Sequence, residues 1–350
     1  MNKKKSKIVY NVFIIATLLF CLIVSCVYVY REIKYKFLNI NLSSNNNSSS
    51  ITVTDEIKSG WFPEKSNPVI GNKEITGTVF DPFVMEKDGK YYMYVSTRKD
   101  GNIGLSESNN GKDWSKIKTV LSCDVNSGWE FEINRCSVVF YDEKYYMYYT
   151  GQQNNISRIG VAIGDNVYNF KKHDGHILSP EYKWEGESVM NPFVIYDEDE
   201  KIFKMWYSAG ETYEPDVICY AESKDGINFH KYENNPIFLK GDNWYDCDKV
   251  SVGHIIKKDG KYIMFYIGYE NVDTARVCYA VSKDGKNNWQ RGKNNPIIGR
   301  VANTWNKYAV YKPSVIYDNE SERWLLWCNG RSDLGEFIGL YYYNGSNFGY

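Results

Sequence analysis

The sequence predicts an all-β chain folded as a five-bladed β-propeller, its ring closed by an outer strand from the N-terminal side and preceded by one transmembrane helix. Three observations predict it. One strand motif recurs five times, every copy sits in the same frame of short strands and turns, and helical periodicity is almost absent.

The motif is K-Y-Y-M-Y. It reads KYYMYVS from Lys90, KYYMYYTG from Lys144, KIFKMWYSAG from Lys201, KYIMFYIG from Lys261 and, more loosely, RWLLWCNG from Arg323. Before each copy stand a short apolar run and an acidic or glycine turn (EKDG, YDE, YDEDE, KKDG, YDNESE), the signature of a β-hairpin. A third strand follows in IGLSES, IGVAIG, ICYAES, VCYAVS and IGLYYY, and then a polar turn leading to an aromatic. Those aromatics, Trp114, Phe170, Phe229, Trp289 and Phe348, recur at intervals of 56, 59, 60 and 59 residues. Four short strands in each of five repeats make a propeller.

The closure is predicted from a register. After Phe229 and Trp289 the outer strand ends six residues later, at Asn235 and Asn295 of NNPI, whereas the fifth repeat stops at Tyr350. The missing pattern lies at the other end, where Trp61 precedes Asn67 and Pro68 by the same interval. Residues ~60–70 are therefore expected to supply the outer strand of the last repeat and to remove an exposed edge.

The domain plan is a cytoplasmic tail and anchor over 1–37, an Asn/Ser-rich stalk over 38–58 and the propeller over 59–350. Lys3, Lys4, Lys5 and Lys7 precede an apolar run from Ile8 to Tyr30 that is long enough to span a bilayer. The charge bias places the N-terminus in the cytoplasm and the rest outside. A rival reading takes IVSC, Ile23–Cys26, as a lipobox with Cys26 as the lipid-bearing residue. Either way the expectation is a tethered extracytoplasmic domain. NINLSSNNNSSS, from Asn39, lacks the apolar residues to fold.

A formal net charge of −1 gives no electrostatic reason to expect nucleic acid. Aromatics reach 16% of the chain, which suits strands and also platforms for sugar rings. Six cysteines lie outside the apolar run without a CxxC pair, and the four histidines form no ligand pattern, so neither metal nor cofactor is expected. His254 alone among the histidines falls on an inner strand, where a packed core histidine is the simpler account.

Aligning the repeats on the motif lysine puts Asp81, Arg135, Asn191, Val252 and Lys312 at one position of the innermost strands. Packing residues around it hardly vary, so this position reads as a specialised rim. Upstream lie Glu130 and Glu132 in WEFEINR, Glu185 and Glu187 in WEGESVMNP, and Asp246 and Asp248 in WYDCDKV. Two carboxylates across a cleft can cleave a glycosidic bond, one protonating the leaving oxygen and the other attacking or activating water. The alternative is that Glu130, Glu185 and Asp246 are loop acids or ion-pair partners.

FDPFVMEKDGKYYMYVS, Phe80–Ser96, resembles the opening blade of the five-bladed glycoside hydrolases, notably family 43, and is similar to families 32 and 68 and the family 130 phosphorylases. In those families an aspartate at the head of the first blade is the base or nucleophile. The resemblance implies that role for Asp81. Family 43 expects a second aspartate before proline, where this chain has Asn191, and a glutamate in an E-x-P context that this chain lacks. Glu187 is the first candidate for the acid and Glu132 the second, with Asp248 as a third carboxylate that orients it. Arg135, Asn191 and Lys312 are candidate substrate contacts, and Trp129, Trp184, Trp244 and Tyr308 are candidate stacking surfaces. The expected partner is a carbohydrate, with the membrane met only through the N-terminal helix. The cations Arg135, Lys249, Lys307 and Lys312 equally suit phosphate or an acidic sugar, hence a phosphorylase or transferase. Asn191 in place of an aspartate suits a non-catalytic glycan-binding propeller.

Overall fold

Alternating apolar residues and two-residue acidic turns dictate the hairpins, and the computed structural model, which describes residues 54–71, 78–213 and 215–350, contains them in the expected order. Asp88–Gly89 and Asp259–Gly260 both take positive φ, the mirror-image turn whose twist matches two antiparallel strands. The described residues form an all-β, propeller-like fold whose one helical element is a single 3-10 turn, Lys183–Glu185.

Strand pairing sorts the described residues into five consecutive repeats. Their inner strands are Val79–Lys87, Glu132–Tyr141, Ser188–Asp197, Lys249–Lys258 and Ala309–Asp318. Each pairs antiparallel with a motif strand, which pairs in turn with a third strand. The motif methionines Met93, Met147, Met205 and Met264 are fully buried. Each such burial contributes about 1.5–3 kcal/mol.

The outermost strand of the fifth repeat comes from the N-terminal side, with Phe62 opposite Tyr342 and Pro63 opposite Tyr341. Asn67 does there what Asn235 and Asn295 do in their repeats. Its side chain accepts from Leu340 N and donates to Leu340 O, both at 2.8 Å. Asn235 forms the same pair of bonds with Tyr220, and Asn295 with Tyr279. An amide side chain thus replaces a backbone rung at the strand end.

Neighbouring repeats are locked by one recurring bond. The aromatic of four of the five motif strands donates to a turn carbonyl of the next repeat, as in Tyr94 to Val167 O (2.9 Å), Tyr148 to Gly226 O (2.8 Å) and Trp206 to Gly285 O (2.7 Å). Phe265 has no donor and packs on Phe348 with ring centroids 5.6 Å apart. Trp327 of the fifth repeat donates to Gly111 O of the first at 2.7 Å, so the contacts form a cycle.

Val53–Tyr350 is one compact unit; the other, Met1–Thr52, falls outside the described residues, as do the anchor and most of the stalk. Among the described residues no helix is long and apolar enough to cross a membrane.

Candidate active site

Four of the five inner strands break their ladder at the same place. The pairing register slips at Asp81–Pro82, Arg135–Cys136, Asn191–Pro192 and Lys312–Pro313. Asp81, Arg135, Asn191 and Lys312 take φ of 55°, 54°, 58° and 49°, a left-handed conformation that side chains rarely adopt. Four strained residues at one level of the fold are the sort of feature that clusters at functional sites. Val252, aligned with them by sequence, differs: it pairs regularly with Tyr266 and its φ is not positive. The extra residue there is Gly253, where a Cβ would fall 2.5 Å from Pro313 Cγ.

Three of the inner strands are held at this level from the preceding repeat. Ser96 Oγ accepts from Arg135 N (3.0 Å), Thr150 Oγ1 from Asn191 N (2.8 Å) and Ser208 Oγ from Val252 N (3.0 Å). These hydroxyls stand two residues after the motif-strand aromatics Tyr94, Tyr148 and Trp206. Aligning that position across the repeats would have found them in the sequence. In the fifth repeat the same position is Asn329, which is fully buried and has no partner for Oδ1 or Nδ2 among the described residues.

The kinks bring four predicted residues together. Arg135 Nε stands 3.7 Å from Asp81 Oδ2, while its other nitrogens reach Met190 Sδ (2.9 Å) and Tyr213 O (3.0 Å). Lys312 donates to Asn191 Oδ1. The Asn191 amide is oriented by bonds from Nδ2 to Ser251 Oγ (2.8 Å) and Val252 O (2.5 Å). Burial pushes the Asp81 carboxyl up, and the opposing charges of Arg135 and Lys312 only partly restore it. Burial likewise brings the Lys312 ammonium down to about 8, against the pull of Asp81. Two cations thus flank one carboxylate.

Glu336 was not found by sequence reasoning. Its charge also pushes the Asp81 carboxyl up. It accepts a two-pronged ion pair from Arg98 (2.9–3.2 Å) and a bond from Tyr311, the residue before Lys312. Nothing in its local sequence, GEFIG, marks it.

The upstream acids divide by position. Glu130, Glu185 and Asp246 are buried and satisfied. Glu130 holds Tyr149 (2.9 Å) and Lys172; Glu185 holds Tyr207 (3.1 Å) and Lys231 (2.8 Å); Asp246 holds Tyr266 (2.8 Å) and Arg291 (2.6 Å). Each ties the loop before an inner strand to its own repeat. Glu132, Glu187 and Asp248, two residues further on, are exposed or half-buried at the heads of those strands and make no side-chain bond among the described residues.

The stacking candidates are corrected in part. Trp129 is buried, stacked on Tyr149 (5.9 Å, 24°), and fills the space over Gly151 and Gly160, so it is a packing residue. Trp305 takes the same role over Gly330 and Gly339. Trp244 is left half exposed, with the Arg276 guanidinium 4.3 Å from its ring. Trp184 is stacked parallel to Tyr182 at 5.6 Å. Tyr308 is half-buried and bonded to Asp333. Two rim cations are also paired, Lys307 with Asp333 and Lys249 with Glu211 (2.6 Å).

His254 is buried between Phe83 (6.1 Å) and Phe193 (4.3 Å), and burial takes its imidazole down to about 3, so it is neutral. Among the described residues no group of His, Cys, Asp and Glu could hold a metal ion.

A strained, buried carboxylate between cations thus lies at one level of a propeller-like fold, and the comparisons give the class of protein. The profile of Glycosyl hydrolases family 43 matches residues 66–312, and the chain belongs to that family. It is 36% identical over 128 residues to a beta-1,2-mannobiose phosphorylase of Thermoanaerobacter sp. (strain X514), a match covering 32% of this chain and 41% of the phosphorylase. It is 27% identical over 269 residues to a xylosidase/arabinosidase of Bacteroides ovatus, covering 63% of this chain and 79% of the relative. Among solved structures, a glycosyl hydrolase from Bacteroides ovatus superposes with a TM-score of 0.67 at 16% identity, covering 82% of this chain and 94% of the other. A structure from the GH130 family of mannoside phosphorylases, which contains glycoside hydrolases that target beta-1,2 mannosidic linkages in Candida mannan, superposes at 0.65 and 17% identity, over 84% and 96%. At these identities the structures establish the fold.

Proposed function

We propose that this protein is a glycosidase that cleaves a glycosidic bond in a poly- or oligosaccharide, on a closed five-bladed propeller with Asp81 at its axis. The observation that carries it is the placement of Asp81, a buried carboxylate on a left-handed kink, facing the Arg135 and Lys312 cations. Asp81 acts as the base that activates water once substrate has displaced solvent. A rim acid, Glu187 first and Glu132 second, protonates the leaving oxygen. Asp248 orients it.

A second reading rests on the excess of positive charge. Arg135 and Lys312 together carry one more charge than Asp81 balances, and the Met190 sulfur is a poor acceptor for a guanidinium. Phosphate would satisfy both cations and serve as the attacking group of a phosphorylase. The test is glycan turnover with and without inorganic phosphate, beside Asp81→Asn. Sugar release that the variant loses supports hydrolysis, a phosphate requirement supports phosphorolysis, and binding without turnover sinks both in favour of a lectin-like propeller.

For location, the run Ile8–Tyr30 supports a single span with the propeller outside, and Cys26 supports a lipoprotein instead. Protease shaving of intact cells tests the first: the propeller should be clipped while the N-terminus survives.

A further inference from the structure

The flank between the second and third repeats carries a cavity of about 530 Å³, lined among others by His176, Leu178, Glu181, Tyr182, His230 and Lys231. It is built on outer strands: Leu178 bridges to Ile159 of the second repeat, and His230–Lys231 is the fourth strand of the third. The Asp81 level lies on the inner strands, at the other edge of the same repeats. The volume is within the range of small-molecule sites.

Its chemistry narrows the ligand. Tyr182 is 50% exposed and lies parallel to Trp184, 5.6 Å apart with 5° between planes, so the two rings make a rigid flat step. Lys231 has three donor hydrogens, and three acceptors already surround it: Ser179 O at 2.7 Å, Glu185 Oε2 at 2.8 Å and Glu181 Oε2 at 3.2 Å. No donor is left for an anion, and the two glutamates outweigh the lysine. Burial and the charge of Arg158 hold His176 below its usual range, so its imidazole is neutral near pH 7. Neutral imidazole and the exposed carboxylate of Glu181 both suit hydroxyl groups, and the aromatic step suits an apolar face. A ligand with one C–H face and many hydroxyls, uncharged, fits all three.

We propose that this flank is a second glycan-binding site, taking one or two rings of a neutral polysaccharide on Tyr182, with Glu181 and His176 holding hydroxyls. It rests on the reading that the substrate is a saccharide, and it would keep a polymer at the surface while another stretch enters the axis.

The test is native affinity electrophoresis of the full chain through gels holding soluble arabinoxylan, arabinan or yeast mannan, with Tyr182→Ala, Tyr182→Phe and Asp81→Asn alongside. At least one polymer should retard the parent, the Phe variant and the Asp81 variant alike. Tyr182→Ala should weaken retention five-fold or more, with an unchanged melting temperature and an unchanged rate on a small chromogenic glycoside. Equal retention of Tyr182→Ala, or no retention of the parent by any of the three polymers, overturns the proposal. Tyr182-dependent retention in a parent that turns nothing over would leave this site standing and remove the hydrolase reading.

Discussion

Arg135 Nε lies 3.7 Å from Asp81 Oδ2, across the boundary between the first and second repeats, and each residue sits on a left-handed kink of its own strand. The contact is an ion pair too long for a hydrogen bond, so the carboxylate is steadied by charge. Ser96 joins the two, accepting from Arg135 N at 3.0 Å and lying 3.5 Å from Asp81 Oδ2.

That relationship fixes the sign of a pH effect. Burial holds Asp81 above the ordinary carboxyl value, and Arg135 pulls it down. A base must be ionised, so kcat/KM should rise with pH along an acid limb governed by Asp81. Arg135→Met removes the lowering charge and should move that limb to higher pH. If activity instead falls as pH rises through the same group, Asp81 is the proton donor.

Lys312 sets the other side. With its ammonium lowered to about 8, it discharges as pH climbs through that value and ceases to balance Asp81. We expect kcat/KM to fall above about pH 8 and the fall to move upward in Lys312→Arg, which stays charged. An alkaline limb that the substitution leaves in place would assign it to another group.

The paired acids should separate cleanly in a stability assay. Glu130→Ala, Glu185→Ala and Asp246→Ala each take a buried carboxylate away from a cation and a tyrosine hydroxyl. Urea melts should show losses of about 3–5 kcal/mol apiece. Glu132→Gln, Glu187→Gln and Asp248→Asn should stay within about 0.5 kcal/mol of the parent, and the residue that serves as acid should lose activity by 100-fold or more.

Asn329 departs from the hydroxyl rule that Ser96, Thr150 and Ser208 obey. Two polar atoms are buried there without partners among the described residues. Asn329→Ser removes both and substitutes the hydroxyl found at this position in three other repeats, so thermal denaturation should show a gain of roughly 1–2 kcal/mol. A loss would mean that the native amide is engaged.

Much of the fold was legible because it is written locally. The Asp-Gly turns, the alternation in KYYMY and the interval from Trp61 to Asn67 each concern a few neighbouring residues, and each has one physical reading. Asp81 was legible too, standing before a proline at the head of a strand. Val252 was misaligned with the kinks because a one-residue slip in a ladder leaves no trace in the chain itself. Glu336 escaped because Tyr311 meets it only across the fifth repeat and Arg98 only through the cycle of repeats.

By itself, then, the sequence determined the all-β class, the order of the strands and the N-terminal segment that pairs with the last of them, since hydrogen-bonded turns and strand periodicity are short-range. Only the tertiary structure decided which acid of each pair is a brace and which stands at the rim. Glu130 and Glu132 have nearly the same local context, and what divides them is Lys172, forty residues away in the chain and in contact with one of them only after the sheet has formed.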